Sequence, residues 1–514
     1  MTTTNIIILA TIIVYMAAMI GIGAWKAKQN KTAGDFFLGG RQLSPLVTAM
    51  SAEASDMSGW LLMGLPGLAL MTGVAEAFWT AVGLAIGTYL NWLLVAKRIR
   101  IYSAKIDAFT LPDFFSKRFG GNRAITFVSA IIIVIFFIPY TASGFAACGK
   151  LFSSFFGMDY VTAMIISAIV IIVYCTLGGF LAASITDFFQ SIIMTVALFV
   201  ILGVGEAVGG GFDSIIANVK QLDGFMDVLK GFDVASGTAG SYGALPIVST
   251  LAWGLGYFGM PHILLRFMGI EDPKKLKLSR RVASVWVVIS MGFAVLIGVI
   301  GYVLMTKDIV PAYASSSASE TIIIDIAKFI AGHGYIPAIV GGIILAGIIA
   351  STMSTADSQL LAAASSISQD IVVETFKVKL SVKKSMILAR VSVVIISVIS
   401  IFLALNPNSS VFRIVSFAWA GFGAAFGPVV LLSLFWKKTT GAGALAGMIS
   451  GGVMIFFWKF IVRKFAAGTW LDIYELLPAF IVALIVIITV SLLTKAPDKK
   501  ALNTFDAVNI ECKK

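Results

Sequence analysis

The sequence predicts an all-α polytopic membrane protein of about 13 transmembrane helices, and three observations carry that expectation. Hydrophobic residues make up 59% of the 514 positions, and the mean hydropathy is +0.96. Charged residues supply only 12%, about half the ~25% of a soluble domain. The apolar residues also fall into stretches of about 20, the length that crosses a bilayer as a helix. A soluble globular enzyme, a disordered chain and a secreted disulfide scaffold are therefore excluded. Lys and Arg outnumber Asp and Glu by 38 to 26. In a polytopic protein that surplus belongs to cytoplasmic loops rather than to nucleic-acid binding. Three cysteines, Cys148, Cys175 and Cys512, imply no disulfide framework. With two histidines and no HExxH, CxxC or Walker-type pattern, hydrolytic metal chemistry and nucleotide chemistry lack the residues they need.

Taken in order, the thirteen stretches run near 5–25, 45–70, 73–96, 124–148, 158–178, 186–208, 244–268, 283–305, 335–366, 386–405, 411–435, 440–462 and 473–494. The first reads as a retained span rather than a signal peptide. Trp25-Lys26-Ala27-Lys28 makes an interfacial stop, and no small-residue cleavage site follows the apolar run. The connection 209–243 is rich in Gly and Asp and reads as an extracellular loop. The tail after Lys495 is short and charged, with no soluble domain expected on it. Of the 38 Lys and Arg, 29 fall on alternate connections at 26–41, 97–123, 266–281, 377–390, 437–438 and 495–514. That face is expected to be cytoplasmic, with the N-terminus outside and the C-terminus inside, which an odd number of spans satisfies. Lys459, Arg463 and Lys464 run against the rule, at the outer end of the twelfth stretch.

Two stretches are interrupted. The second runs through Ser51-Ala52-Glu53-Ala54-Ser55-Asp56-Met57-Ser58-Gly59-Trp60 before becoming apolar again. So many polar groups at membrane depth are costly unless they line a cavity, and Ser and Gly there let a helix unwind. The seventh carries Trp253-Gly254-Leu255-Gly256-Tyr257-Phe258-Gly259-Met260-Pro261, three glycines and a proline in mid-span. Breaks about 200 residues apart at corresponding positions are the mark of an inverted-repeat transporter. Each would begin a five-helix half. The chain then divides into a first helix and loop (1–43), a first repeat (44–208), the loop (209–243), a second repeat (244–435), two additional helices (436–494) and the tail (495–514).

The ninth stretch adds hydroxyls. Ser351, Ser354, Thr355 and Ser358 lie at i, i+3, i+4 and i+7, so they share a helical face. A hard cation such as sodium prefers oxygen ligands, and carbonyls of an unwound helix with hydroxyls of a neighbour would supply them. A Ser/Thr-lined helix–helix contact would give the same pattern.

These residues resemble a known family. Ser55-Asp56-Met57-Ser58-Gly59-Trp60-Leu61-Leu62-Met63-Gly64-Leu65-Pro66-Gly67 is similar to the second-span signature of bacterial sodium/proline symporters. So are Trp253–Gly259, Pro261-His262-Ile263-Leu264, Arg266-Phe267-Met268, Met353-Ser354-Thr355 and Ala418–Pro428, and the likeness runs over nearly the whole chain. The resemblance implies the sodium/solute symporter family and a leucine-transporter-type 5+5 inverted-repeat core. It implies sodium on the carbonyls of Ala54, Met57 and Ser351 and on the hydroxyls of Ser354 and Thr355, with Asp56 as a nearby charge. It implies an L-proline site from Ser58, Trp60, Tyr140, Trp253, Tyr257 and Pro261. Aromatic faces would cover the apolar ring and meet the secondary ammonium, while exposed helix N–H groups would take the carboxylate. Asp187 matches an acidic position that contributes a second sodium site in some relatives, and Asp357 and Ser358, at i+3 and i+4 from Ser354, would complete a second cation site with it.

The chain departs from the pattern at Glu53, where a small residue is expected, and at Asp357, where a Ser-like residue is usual. The favoured function is sodium-driven proline uptake into a bacterial cell by alternating access. Its rivals are another small solute, or a proton as the coupling ion. A channel would show filter motifs or charged rings, and none is present. An intramembrane enzyme would need a nucleophile–base constellation, and neither His262 nor His333 lies in one. The expected partners are proline, sodium and the bilayer, with no nucleic acid and no obligate protein partner.

Overall fold

The computed structural model describes residues 2–27 and 32–513. Lys28, which ends the interfacial stop, and Lys31 and Lys514, counted among the cytoplasmic cations, lie outside the described residues. Numbered in chain order, the main helices begin with α1 (Thr3–Ala27), α2 (Pro45–Asp56), α3 (Leu65–Thr72), α4 (Val74–Leu90) and α5 (Arg123–Phe156). They continue with α6 (Tyr160–Leu177), α7 (Phe180–Gly209), α8 (Ala244–Leu251), α9 (Pro261–Gly269) and α10 (Leu276–Thr306). The last five are α11 (Tyr335–Ser365), α12 (Val382–Leu403), α13 (Val411–Phe435), α14 (Gly441–Phe457) and α15 (Leu476–Leu493).

All thirteen apolar stretches are helical. Among the described residues, however, only 10 helices are long and apolar enough to cross a membrane by themselves. The physical reason is plain for two of the others: the second and seventh stretches are each cut in two. Ser44 caps α2 by accepting the Val47 N–H, and Pro45 fits the first turn, where its missing N–H is no loss. The helix ends at Asp56. Met57 has φ −82° and ψ 75°, and the chain turns helical again through a wide π-type turn at Trp60–Gly64 into α3. In the seventh stretch α8 tightens into 3₁₀ geometry over Ala252–Gly259, Met260 is extended, and Pro261 restarts the chain as α9. Glycine here serves close approach. A Cβ on Gly87 of α4 would lie 2.3 Å from the carbonyl oxygen of Gly254, so the two backbones could not otherwise touch.

The connection expected as a plain loop at 209–243 is folded. It holds a helix over Phe212–Val219 and an antiparallel hairpin, β1 (Lys230–Asp233) and β2 (Thr238–Ser241), with Lys230 opposite Ser241. Phe232 buries itself edge-on against Phe225 at 5.4 Å, an apolar anchor that the Gly and Asp content hid. This hairpin marks one end of the bundle. At the other end the charged tail forms a helix, Lys499–Lys513, that buries Phe505 and Val508 and pairs Asp506 with Lys437.

Two readings of charge need correction. Arg266, counted with the loop cations of 266–281, is 1% exposed inside the bundle, because a buried carboxylate pairs with it. Lys459 and Arg463, which ran against the charge rule, are neutralised by Glu475 at 3.3 and 3.0 Å, and Arg463 also holds Asp472 at 3.0 Å.

Candidate ion and substrate site

The end of α2 lies against the middle of α11. The Ser354 hydroxyl donates to the Ala54 carbonyl at 2.7 Å and reaches the Ser351 carbonyl at 3.2 Å. One expected ligand group, the Ser354 hydroxyl, thus stands within hydrogen-bond distance of two others, one of them 300 residues away in sequence. The Thr355 hydroxyl is buried with no hydrogen-bond partner among the described residues, a cost unless something else satisfies it. Met57, the fourth residue, leaves helical geometry, and the Leu61 N–H one turn on donates to the Ser58 carbonyl instead. Carbonyls and neutral hydroxyls suit a monovalent hard cation. Groups of three or more His, Cys, Asp or Glu that would hold a transition metal are absent among the described residues.

Ser58 and Asp56 lie at the gap itself. The Asp56 carboxylate accepts from the Tyr257 hydroxyl at 2.6 Å, which joins one broken segment to the other, while its second oxygen has no partner among the described residues. The Asp56 carbonyl gathers three donors: the Ser58 N–H at 3.0 Å, the Trp60 indole at 2.9 Å and the Tyr140 hydroxyl at 3.2 Å. The Ser58 hydroxyl is buried, with no hydrogen-bond partner among the described residues. Trp253 lies 6.4 Å from Trp60, ring centre to ring centre, and Trp419 holds the Trp253 carbonyl at 2.7 Å while meeting Tyr257 edge-on at 5.0 Å. Pro261 enters only through the backbone, as the residue that restarts α9.

The predicted second cluster comes together around a residue whose charge was misplaced. Arg266 donates to Asp187 at 3.0 Å, to the Ser51 hydroxyl at 3.0 Å, to the His262 carbonyl at 3.0 Å and to Ser358. Ser358 in turn donates to Asp357 at 3.0 Å, and one oxygen of each aspartate has no partner among the described residues. The single hydroxyl face expected on α11 is therefore divided. Ser354 turns to α2, and Ser358 turns to the guanidinium. Glu53 points away from both, accepting from Trp92 at 2.8 Å and Thr88 at 3.1 Å. Sequence reasoning passed over Trp419, Phe412 and Tyr474, aromatic residues in the same cluster. Of these, only Trp419 lay in a quoted motif.

Residues 36–451 match the model of the sodium:solute symporter family. The chain belongs to the sodium:solute symporter family. Among curated members, the osmoregulated proline transporter OpuE of Bacillus subtilis is 42% identical over 504 residues, covering 98% of each chain. The sodium/proline symporter of Escherichia coli is 41% identical over 495 residues, 95% of this chain and 93% of the relative. That of Haemophilus influenzae is 41% identical over 506 residues, 97% of each. Such family members are transporters, not enzymes. Among solved structures, a sodium-coupled sialic acid symporter in a substrate-bound outward-open state is 19% identical with a TM-score of 0.78, covering 96% of this chain and 98% of that one. MhsT in complex with L-phenylalanine gives 0.53 at 14% identity, covering 88% and 98%. Both likenesses concern the fold: the family member here shares the architecture of leucine-transporter-type carriers.

Proposed function

We propose that this chain takes up L-proline with sodium by alternating access across the bacterial cytoplasmic membrane. The names of its full-length relatives support the substrate and the ion. One observation in the site supports the mechanism: the break after Asp56 serves both functions. Its carbonyl at Ala54 meets Ser354 on one side, and its Asp56 meets Tyr257, Trp60 and Tyr140 on the other. A sodium ion held by Ala54, Met57, Ser351, Ser354 and Thr355 would fix the unwound backbone. The same backbone sets the floor of a proline site formed with Ser58, Trp60, Tyr140, Trp253, Tyr257 and Pro261. Each ligand therefore lowers the cost of ordering the break for the other, and that coupling free energy is reciprocal.

In this reading the chain has thirteen spans, with inverted repeats at 44–208 and 244–435. The N-terminus is outside and the C-terminus inside, as 28 of the 38 Lys and Arg on one set of connections support once the buried Arg266 is set aside. The hairpin end is then the outer end.

Trp253→Ala should raise the proline half-saturation concentration at saturating sodium, because it removes the aromatic face over the ring and ammonium. Unchanged proline affinity in correctly inserted protein would return Trp253 to a packing role. Competition tests the substrate itself. Excess unlabelled proline should abolish uptake of labelled proline, and equal excesses of pantothenate, a sugar or another amino acid should not.

Asp187, Asp357 and Ser358 form a second cation position in this reading. Asp187 pairs with Arg266 and Asp357 reaches it only through Ser358, so two carboxylates stand near one guanidinium, and low-dielectric surroundings favour a further positive charge there. Reversal potentials in proteoliposomes should give a sodium-to-proline ratio above one for the wild type and near one for Asp357→Ser. A ratio near one in both would remove the second position.

A further inference from the structure

Tyr474 belongs to neither repeat. It lies at the end of the connection between α14 and α15, yet it is buried, and its ring stacks on Trp253 with centroids 5.4 Å apart and planes 22° from parallel. Its hydroxyl donates to the Ser416 carbonyl of α13 at 2.6 Å, and its backbone N–H donates to the Ser249 hydroxyl of α8 at 2.7 Å. The next residue, Glu475, is 1% exposed and is held by the cations of Arg463 and Lys459. Leu476 follows, packed so tightly on α13 that a Cβ on Gly423 would meet it at 2.7 Å. Three consecutive residues are thus docked, which is more than a surface connection needs.

What this docking orders is the indole of Trp253. Phe412 lies against the same ring at 5.0 Å and 35°. Tryptophan has two soft side-chain torsions, and packed rings on it hold both. Beyond the stack, at the hairpin end, is a cavity of about 410 Å³ lined by Trp253, Tyr474, Phe412, Glu320 and Arg413 among others. Trp60, Tyr140 and Tyr257 do not line it. The Trp253–Tyr474 stack therefore forms a wall between that cavity and the residues gathered at Asp56.

We propose that Tyr474 is a positioning and specificity-determining residue for proline uptake: it fixes the Trp253 indole over the substrate ring and closes the site toward the outer cavity. This rests on the assignment of Trp253 to the proline site. Proline offers a small apolar ring and no reactive side chain, so discrimination falls to the shape of the aromatic wall. A wall free to tilt would accept a larger ring. The two helices beyond the repeats thereby gain a part in selectivity, through one residue at their turn.

The test is a set of variants in proteoliposomes, each normalised to the amount of inserted protein. Tyr474→Phe keeps the stack and loses the bond to Ser416; Tyr474→Leu loses the stack and keeps the apolar volume. Should the leucine variant insert poorly, Tyr474→Met gives the same comparison. The leucine variant should raise the proline half-saturation concentration about tenfold and admit the six-membered-ring homologue of proline better relative to proline. Sodium half-saturation should not move, and the phenylalanine variant should stay close to wild type. Because Tyr474 acts through Trp253, Trp253→Ala with Tyr474→Leu should be no worse than Trp253→Ala alone. The inference is overturned if Trp253→Ala alters proline affinity and ring-size preference but Tyr474→Leu alters neither. A parallel loss of sodium and proline affinity in Tyr474→Leu would also overturn it, as a general structural effect. If Trp253→Ala itself leaves proline affinity unchanged, the assignment of the site fails and this inference with it.

Discussion

Ser354→Ala is expected to raise the sodium half-saturation concentration of uptake by roughly 5- to 150-fold, corresponding to about 1–3 kcal/mol for one lost oxygen ligand among five. The hydroxyl bridges α2 and α11 at the Ala54 carbonyl, so its removal takes away a proposed sodium ligand and leaves that carbonyl facing a methyl group. Thr355→Ala should act in the same direction. The Thr355 hydroxyl has no partner among the described residues to lose, so its effect would be almost wholly on the ion. If these serine and threonine side chains merely pack helices together, both variants would change protein abundance and leave sodium dependence alone. Sodium titrations of uptake at saturating proline, with the inserted protein quantified, separate the two accounts.

A larger loss of stability is expected for Arg266→Met. The guanidinium is 1% exposed, makes hydrogen bonds to Ser51, His262, Asp187 and Ser358, and lies over the Phe180 ring at 5.0 Å. Replacing it leaves Asp187 as an uncompensated buried charge, which costs about 3–5 kcal/mol, whereas removing both partners together costs far less. Thermal inactivation in detergent should therefore occur at a much lower temperature for Arg266→Met than for wild type. Arg266→Met with Asp187→Asn should recover much of the difference. Equal thermal stability of wild type and the single variant would show that the pair is not what holds α7 to α9.

Both breaks were legible in the sequence because their signals are local. Ser, Gly and Asp at membrane depth, and three glycines before Pro261, violate what a continuous span tolerates, and the structure interrupts the helices at Met57–Ser58 and at Met260. The pairing of those breaks was not local. Asp56 and Tyr257 are 201 residues apart, and no periodicity says that a carboxylate on one will meet a phenol on the other. The Ala54–Ser354 contact followed from family resemblance alone, since i, i+3, i+4 spacing on α11 fits a packing face equally well. Arg266 was misread because charge counting treats an arginine near the end of a stretch as a loop cation. Only its partner Asp187, 79 residues away, reveals that it is buried. Tyr474 gave no signal. It stands at the very edge of the last apolar stretch, and its burial comes from Trp253, Ser249 and Ser416, all distant in sequence.

In the proposed mechanism one unwound backbone couples sodium to proline. This coupling is tested most directly by uptake of radiolabelled proline into proteoliposomes containing the purified chain, with an inward sodium gradient and with sodium replaced by choline on both sides. Proline should accumulate above the external concentration only with the gradient, and the accumulation should collapse when the gradient is dissipated. Equal accumulation with sodium replaced, or accumulation driven by a proton gradient alone, would contradict the proposed mechanism.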